Sequence, residues 1–156
     1  MTTVAYDGVS IAADSLSTDN WGLISYTKEK IKVGIDFYIA FSGTVHQIHD
    51  YWKSIMLMNT EEILNHGYPM YDKEEDGLHA LLCCTDGRSW WLSGSCFMRN
   101  NRGFHAIGSG RDFAIAAMHL GNSASDAVLL ASNFDRGTGG EVIEYKIKNH
   151  PALIGN

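Results

Sequence analysis

Two of the three Asp-Gly dipeptides, Asp7-Gly8 and Asp86-Gly87, set the strongest limit on the fold of this chain. Each interrupts a run of apolar and β-branched residues, the pattern of two antiparallel strands joined by a tight turn. Between and after these hairpins the apolar period changes from two to about 3.6. The chain must therefore build antiparallel sheet in two separate stretches and cover it with helices.

The first stretch runs over residues 2–14, alternating around Asp7-Gly8, and continues through 23–27, 31–35 and 37–42, with Asp36 as the turn between the last two. The first 43 residues thus read as a run of four or five antiparallel strands. Ile48, Tyr51, Trp52, Ile55 and Met56 then recur on one helical face. A second short helix follows in "NTEEILNHG", with Asn59 as N-cap, Glu62 three residues on and Gly67 as terminator. "YPMYDKEEDG" reads as a polar surface loop. Strands resume at 78–84 and 89–93 on either side of Asp86-Gly87.

"GFHAIGSG" leads into a third helix whose stripe is Phe113, Ala116, Ala117 and Leu120, ended by Gly121. A fourth starts with the capping pattern Ser123 and Asp126. "GGEVIEYKI" reads as a last strand before a short polar tail. The order strands, helices, strands, helices, strand predicts one α+β domain over 1–156, two antiparallel sheets face to face with helices outside them, in αββα layers.

Charge and cysteine content narrow the function classes. Twelve basic and 18 acidic residues give a net charge of −6 with no basic cluster, so nucleic acid is not an expected partner. No apolar run approaches the ~20 residues of a membrane span. Met1-Thr2-Thr3 leads directly into a strand pattern, so no signal peptide is expected. Cys83, Cys84 and Cys96 are odd in number and two are adjacent, which argues against a disulfide framework and for a reducing cytoplasm. His46 and His49 are spaced to share a metal on a helix, yet nothing nearby completes a ligand set. They read as surface or packing residues, and no metal or cofactor is expected. Cys83-Cys84 reads as buried strand thiols, and Trp90-Trp91 places one ring on each sheet face.

The chemistry concentrates at the start of the chain. Methionine aminopeptidases remove Met1 readily before a small residue, which makes Thr2 the N-terminus. An N-terminal threonine joins a hydroxyl nucleophile to an α-amine, a group that ionises near about 7.7–8.0 and so can accept a proton close to neutral pH. "TTVAYDGVSIAADS" resembles the N-terminus of the proteasome β-subunit and HslV family, N-terminal-nucleophile hydrolases. "KIKV", "AFSG", "AIGSG" and "DRGTGG" resemble the same family, in its order and over nearly the whole chain, as in a compact bacterial or viral relative.

The resemblance implies a role for each matching residue. Thr2 matches the nucleophile, Asp14 the aspartate near the end of the second strand, and Lys30 the active-site lysine; Lys28 and Lys32 share its parity. Gly43 matches the oxyanion-hole glycine and Ser109 the serine bonded to the terminal amine. Asp135 matches the supporting aspartate, with Thr138 where many relatives have serine. Phe41 and Val45 match specificity-pocket positions. The implied protein is a threonine endopeptidase in a homo-oligomeric ring, acting on unfolded polypeptide and fed by an AAA+ ATPase unfoldase. A non-proteolytic amidase with the same nucleophile, and an idle ring or interaction module, remain as alternatives.

Two hairpin registers are open. A two-residue turn at Asp7-Gly8 pairs Tyr6 with Val9 and puts Asp14 opposite in face to Thr2. A three-residue loop, Tyr6 to Gly8, pairs Ala5 with Val9 and gathers Thr2, Val4, Ser10, Ala12 and Asp14 on one face. The catalytic reading requires the second.

Overall fold

The structure, a computed structural model, describes residues 2–18, 24–27, 29–66, 78–93 and 95–154. Met1, Lys28, Gly67 and the 68–77 loop lie outside the described residues.

Within them the chain is mixed α+β with antiparallel sheets. The early strands are β1 (Thr3–Tyr6), β2 (Ser10–Ala13), β3 (Leu16–Thr18), β4 (Ile24–Tyr26), β5 (Ile31–Val33) and β6 (Phe37–Ser42). Helices α1 (Val45–Ile55) and α2 (Thr60–His66) follow. The second strand group is β7 (His79–Cys84), β8 (Ser89–Ser93), β9 (Cys96–Arg99) and β10 (His105–Gly108). Then come α3 (Arg111–His119), α4 (Ala124–Ser132), β11 (Ile143–Lys146), a 3₁₀ turn over Ile147–Asn149 and α5 (Pro151–Ile154). One sheet has the order β10-β1-β2-β11, another β5-β6-β7-β8-β9, and β3-β4 form a two-stranded ribbon.

Strand alternation sorts the apolar side chains into three clusters. Val4, Tyr6, Ile11, Ala13 and Ile107 of the first sheet pack with Ile31, Tyr38, Ala40, Leu81 and Cys83 of the second. The other face of the second sheet packs Phe37, Ile39, Leu82 and Trp90 against Tyr51 and Ile55 of α1 and Ile63 of α2. The other face of the first packs Ala5, Ala12 and Ala106 against Ala114 and Ala117 of α3 and Ala127 and Val128 of α4. Trp90 and Trp91 do fall on opposite faces: Trp90 is buried beneath α1 and α2, and Trp91 stacks on His105 at 4.6 Å. Cys83 and Cys84 are buried, and burial pushes the Cys83 thiol well up.

Local signals hold where they are short-range. Asn59 and Glu62 form a reciprocal capping box at α2, with Glu62 N–H donating to Asn59 Oδ1 at 2.9 Å. Ser123 caps α4 by accepting from Asp126 N–H at 3.2 Å. Gly121 follows α3 at φ 97°, the left-handed turn that glycine favours.

Three expectations are corrected. The α3 stripe faces elsewhere: Ala114, Ala117 and Met118 are buried, while Phe113 and Leu120 are exposed. Small residues let α3 approach the sheet closely, and Phe113 stacks instead on Phe134 at 5.4 Å. The tail, expected only to be short and polar, carries structure of its own. His150 is buried, with Nε2 3.0 Å from Phe37 O and Nδ1 accepting from Ala152 N–H, so it anchors the 3₁₀ turn and α5.

The third correction is the first hairpin, which adopts neither proposed register. Tyr6 pairs with Ile11 and Val4 with Ala13, and Gly8-Val9 form the turn tip. Asp7 sets this. Its Oδ1 accepts from Val9 N–H and Ser10 N–H, each at 2.8 Å, and its Oδ2 from Ala124 N–H at 2.9 Å. A carboxylate so engaged starts the turn and cannot sit at its centre.

Candidate active site at the start of strand β1

Thr2 directly precedes β1, the second strand of its sheet, with β10 on one side and β2 on the other. Such a position is unusual for a chain start, because neighbours on both sides hold it. Ser109 N–H donates to Thr2 O at 2.8 Å, and Thr2 is buried. Gly108, opposite Thr3, has φ 98°, and a Cβ there would collide with Thr2 O. Only glycine lets β10 pass the chain start this closely.

Asp14 lies one residue beyond β2, so strand alternation no longer dictates where its side chain points. Asp14 N–H donates to Thr3 O at 3.2 Å, and Asp14 Oδ1 accepts from Thr3 N–H at 3.0 Å. The same oxygen accepts from Lys30 Nζ at 2.8 Å, and Oδ2 from Gly139 N–H at 3.0 Å. Asp14 thus reaches the chain start through the backbone of Thr3. The face-sharing condition derived from the hairpin was unnecessary.

Lys30 is the lysine that meets Asp14. Its ammonium also donates to Leu16 O at 2.5 Å. Burial lowers its pKa from the ordinary lysine value, opposed by the hydrogen bond and charge of Asp14. Lys32 lies 4.0 Å from Glu29 instead. Among the described residues Asp14 pairs with Lys30, and Lys32 with Glu29.

Behind the chain start, Ser109 Oγ donates to Asp135 Oδ2 at 2.6 Å and Thr138 Oγ1 donates to the same oxygen at 2.5 Å. Burial alone would raise the Asp135 carboxyl, but these two hydroxyls and Gly137 N–H hold it below the usual carboxylate range.

A cavity of about 1230 Å³ opens beside Thr2. Lys30, Phe41, Gly43, Val45 and Ser109 also line it. Gly43 has φ 139°, and α1 starts two residues later. Phe41 is buried with its ring edge-on to Tyr51 at 5.9 Å, and Val45 is exposed. The fold therefore gathers Thr2, Lys30, Gly43, Ser109, Phe41 and Val45 at one cavity. Asp14, Asp135 and Thr138 stand behind as hydrogen-bond partners.

His46, by contrast, is exposed on α1, with Nε2 3.3 Å from Asp50 Oδ2. Among the described residues no three His, Cys, Asp or Glu side chains converge as a metal site would. No helix among them is long and apolar enough to cross a membrane.

Sequence reasoning missed Thr3, Gly110 and Gly139. Thr3 stands in a strand of otherwise apolar residues. A lone hydroxyl among Val4, Ala5 and their neighbours was the available signal, since a buried hydroxyl needs a partner. Gly139 contributes only backbone, which leaves no trace in residue type.

Gly108→Ala should slow any reaction at Thr2 sharply and lower the melting temperature. The φ penalty alone is about 1–2 kcal/mol, and Thr2 O must also move. Thermal melts and adduct kinetics on the same samples read both effects.

No protein-family model and no curated protein matches this sequence. Solved structures do. Thiobacillus denitrificans BPH in complex with epoxomicin aligns at TM-score 0.69 and 22% identity, over 94% of this chain and 97% of that one. Thiobacillus denitrificans BPH aligns at TM-score 0.67 and 22% identity, over 92% and 96%. Eukaryotic HslV from Trypanosoma brucei aligns at TM-score 0.66 and 16% identity, over 92% and 98%. The chain shares its fold with BPH and HslV, the proteasome-like fold that its sequence motifs resemble.

Proposed function

We propose that this protein is an N-terminal threonine hydrolase, specifically a peptidase. Methionine removal frees the Thr2 amine. The Thr2 hydroxyl then attacks a peptide carbonyl, and its proton passes to that amine, directly or through Lys30, which hands its own proton to the amine as it takes that of the hydroxyl. The Gly43 N–H stabilises the oxyanion, the amine of the leaving peptide takes the proton, and water releases the acyl group. Ser109, Asp135 and Thr138 hold the terminal amine, and Asp14 keeps Lys30 charged. Phe41 and Val45 favour an apolar substrate side chain.

The observation that carries this reading is the Asp14 carboxylate, which joins Lys30 to the first strand residue at 2.8 and 3.0 Å beside a cavity that Thr2 itself lines. The reading extends to one αββα domain, a homo-oligomeric cytoplasmic ring, unfolded polypeptide substrates and an AAA+ ATPase feeder. Epoxomicin, which BPH holds in one solved complex, is the natural probe. Intact mass before and after epoxomicin should show Met1 lost and a single covalent adduct. A native mass that retains Met1 and gains no adduct sinks the proposal.

A further inference from the structure

Thr3 and Thr138 are both buried, and their hydroxyl oxygens lie 2.6 Å apart. A hydroxyl carries one proton and two lone pairs. Asp135 is ionised and can only accept, so at 2.5 Å it takes the Thr138 proton. Thr138 therefore meets Thr3 with a lone pair, and Thr3 must donate. At 2.6 Å Asp135 likewise takes the single Ser109 proton. The 3.4 Å approach of Ser109 Oγ to Thr2 O is then not a donation, and Ser109 keeps only lone pairs for other partners. The hydrogen-bond direction is set throughout: Thr3 to Thr138, Thr138 to Asp135, and Ser109 to Asp135.

The second glycine of "GSG" belongs to this arrangement. A Cβ on Gly110 would collide with Thr3 Oγ1 and lie 3.0 Å from Thr138 Oγ1. The hydroxyl pair fills space that only glycine leaves open.

We infer that Thr3 is a positioning residue: its hydroxyl holds the Thr138 proton on Asp135, which leaves Ser109 to offer lone pairs to the Thr2 amine. The inference rests on the reading of Thr2 as nucleophile. Without the Thr3 donor, Thr138 retains a buried, unpaired lone pair, and its side chain is free to turn toward another donor. Asp135 then loses one of the two hydroxyls that keep it ionised.

Thr3→Val replaces the hydroxyl with a methyl of similar size, and Thr3→Ser keeps the hydroxyl. Two readouts apply: the Asp135 carboxyl titration by ¹³C NMR, assigned with Asp135→Asn, and the rate of epoxomicin adduct formation. In Thr3→Val the carboxyl should titrate at higher pH than in the parent, and adduct formation should slow about tenfold. Thr3→Ser should restore both. Thr3→Ala must reproduce the titration change if Thr3→Val disturbs folding. An unchanged Asp135 titration in Thr3→Val or Thr3→Ala overturns the inference, as does a Thr3→Ser protein no better than Thr3→Val. A parent chain that forms no adduct removes the nucleophile reading, while the carboxyl titration still decides what Thr3 does to Asp135.

Discussion

Thr2→Ala protein treated with epoxomicin should keep its unmodified mass, and peptide turnover should fall by roughly 10⁴-fold or more, the scale on which loss of a nucleophile acts. The fold has little reason to change. Among the described residues, the contacts that hold the chain start run through the Thr2 carbonyl to Ser109 N–H at 2.8 Å and through Thr3 to Asp14. Thr2→Ala still permits methionine removal, so the amine remains and only the hydroxyl is lost. The comparison therefore isolates the nucleophile. Intact mass spectrometry reads the adduct and a fluorogenic peptide reads turnover. An adduct that persists on Thr2→Ala places the nucleophile at another residue.

Lys30→Ala should lower turnover by roughly 10²–10⁴-fold, the usual contribution of a positioned proton-transfer group. The lysine is held by Asp14 Oδ1 and Leu16 O, and burial makes its proton easier to give up than that of an ordinary lysine. Asp14 keeps two backbone donors in the variant, Thr3 N–H and Gly139 N–H, so the carboxylate is not stranded. Stability should drop by about 1–3 kcal/mol, the scale of a hydrogen bond to a charged group. Lys32→Ala is the internal control. Its Glu29 partner lies 4.0 Å away with a well exposed carboxylate, and exposed pairs of this kind contribute little, so turnover and melting temperature should stay near the parent. Adduct rates and thermal melts on the two variants check both statements. Equal losses in Lys30→Ala and Lys32→Ala would assign Lys30 no special role.

How much of this was legible before the fold was seen depends on the range over which each signal acts. The Asn59-Glu62 box, the Ser123 cap and the Asp86-Gly87 turn are interactions among residues two to four apart, and each forms as its residue types require. The alternation that places Trp90 and Trp91 on opposite faces is equally local. The α3 face was misread because it depends on how close the helix comes to the sheet, a distance set by Ala114, Ala117 and the alanines opposite. The first hairpin was misread because the Asp7 carboxylate serves both the turn, through Val9 and Ser10 N–H, and Ala124, a residue 117 positions away.

The site divides in the same way. Motifs in order along the chain that resemble a known family pointed to Thr2, Asp14, Lys30, Gly43, Ser109, Asp135 and Thr138, and the fold brings Thr2, Lys30, Gly43 and Ser109 to one cavity with the other three hydrogen-bonded behind it. Which lysine meets Asp14, how Asp14 reaches the backbone of Thr3 past the end of its strand, and why a second threonine stands beside the first were decided only in three dimensions. Those outcomes hang on backbone groups of Thr3, Leu16 and Gly139 and on the space left above Gly110. Every residue carries the same backbone donors and acceptors, so their placement depends on the packed sheets rather than on any letter of the sequence.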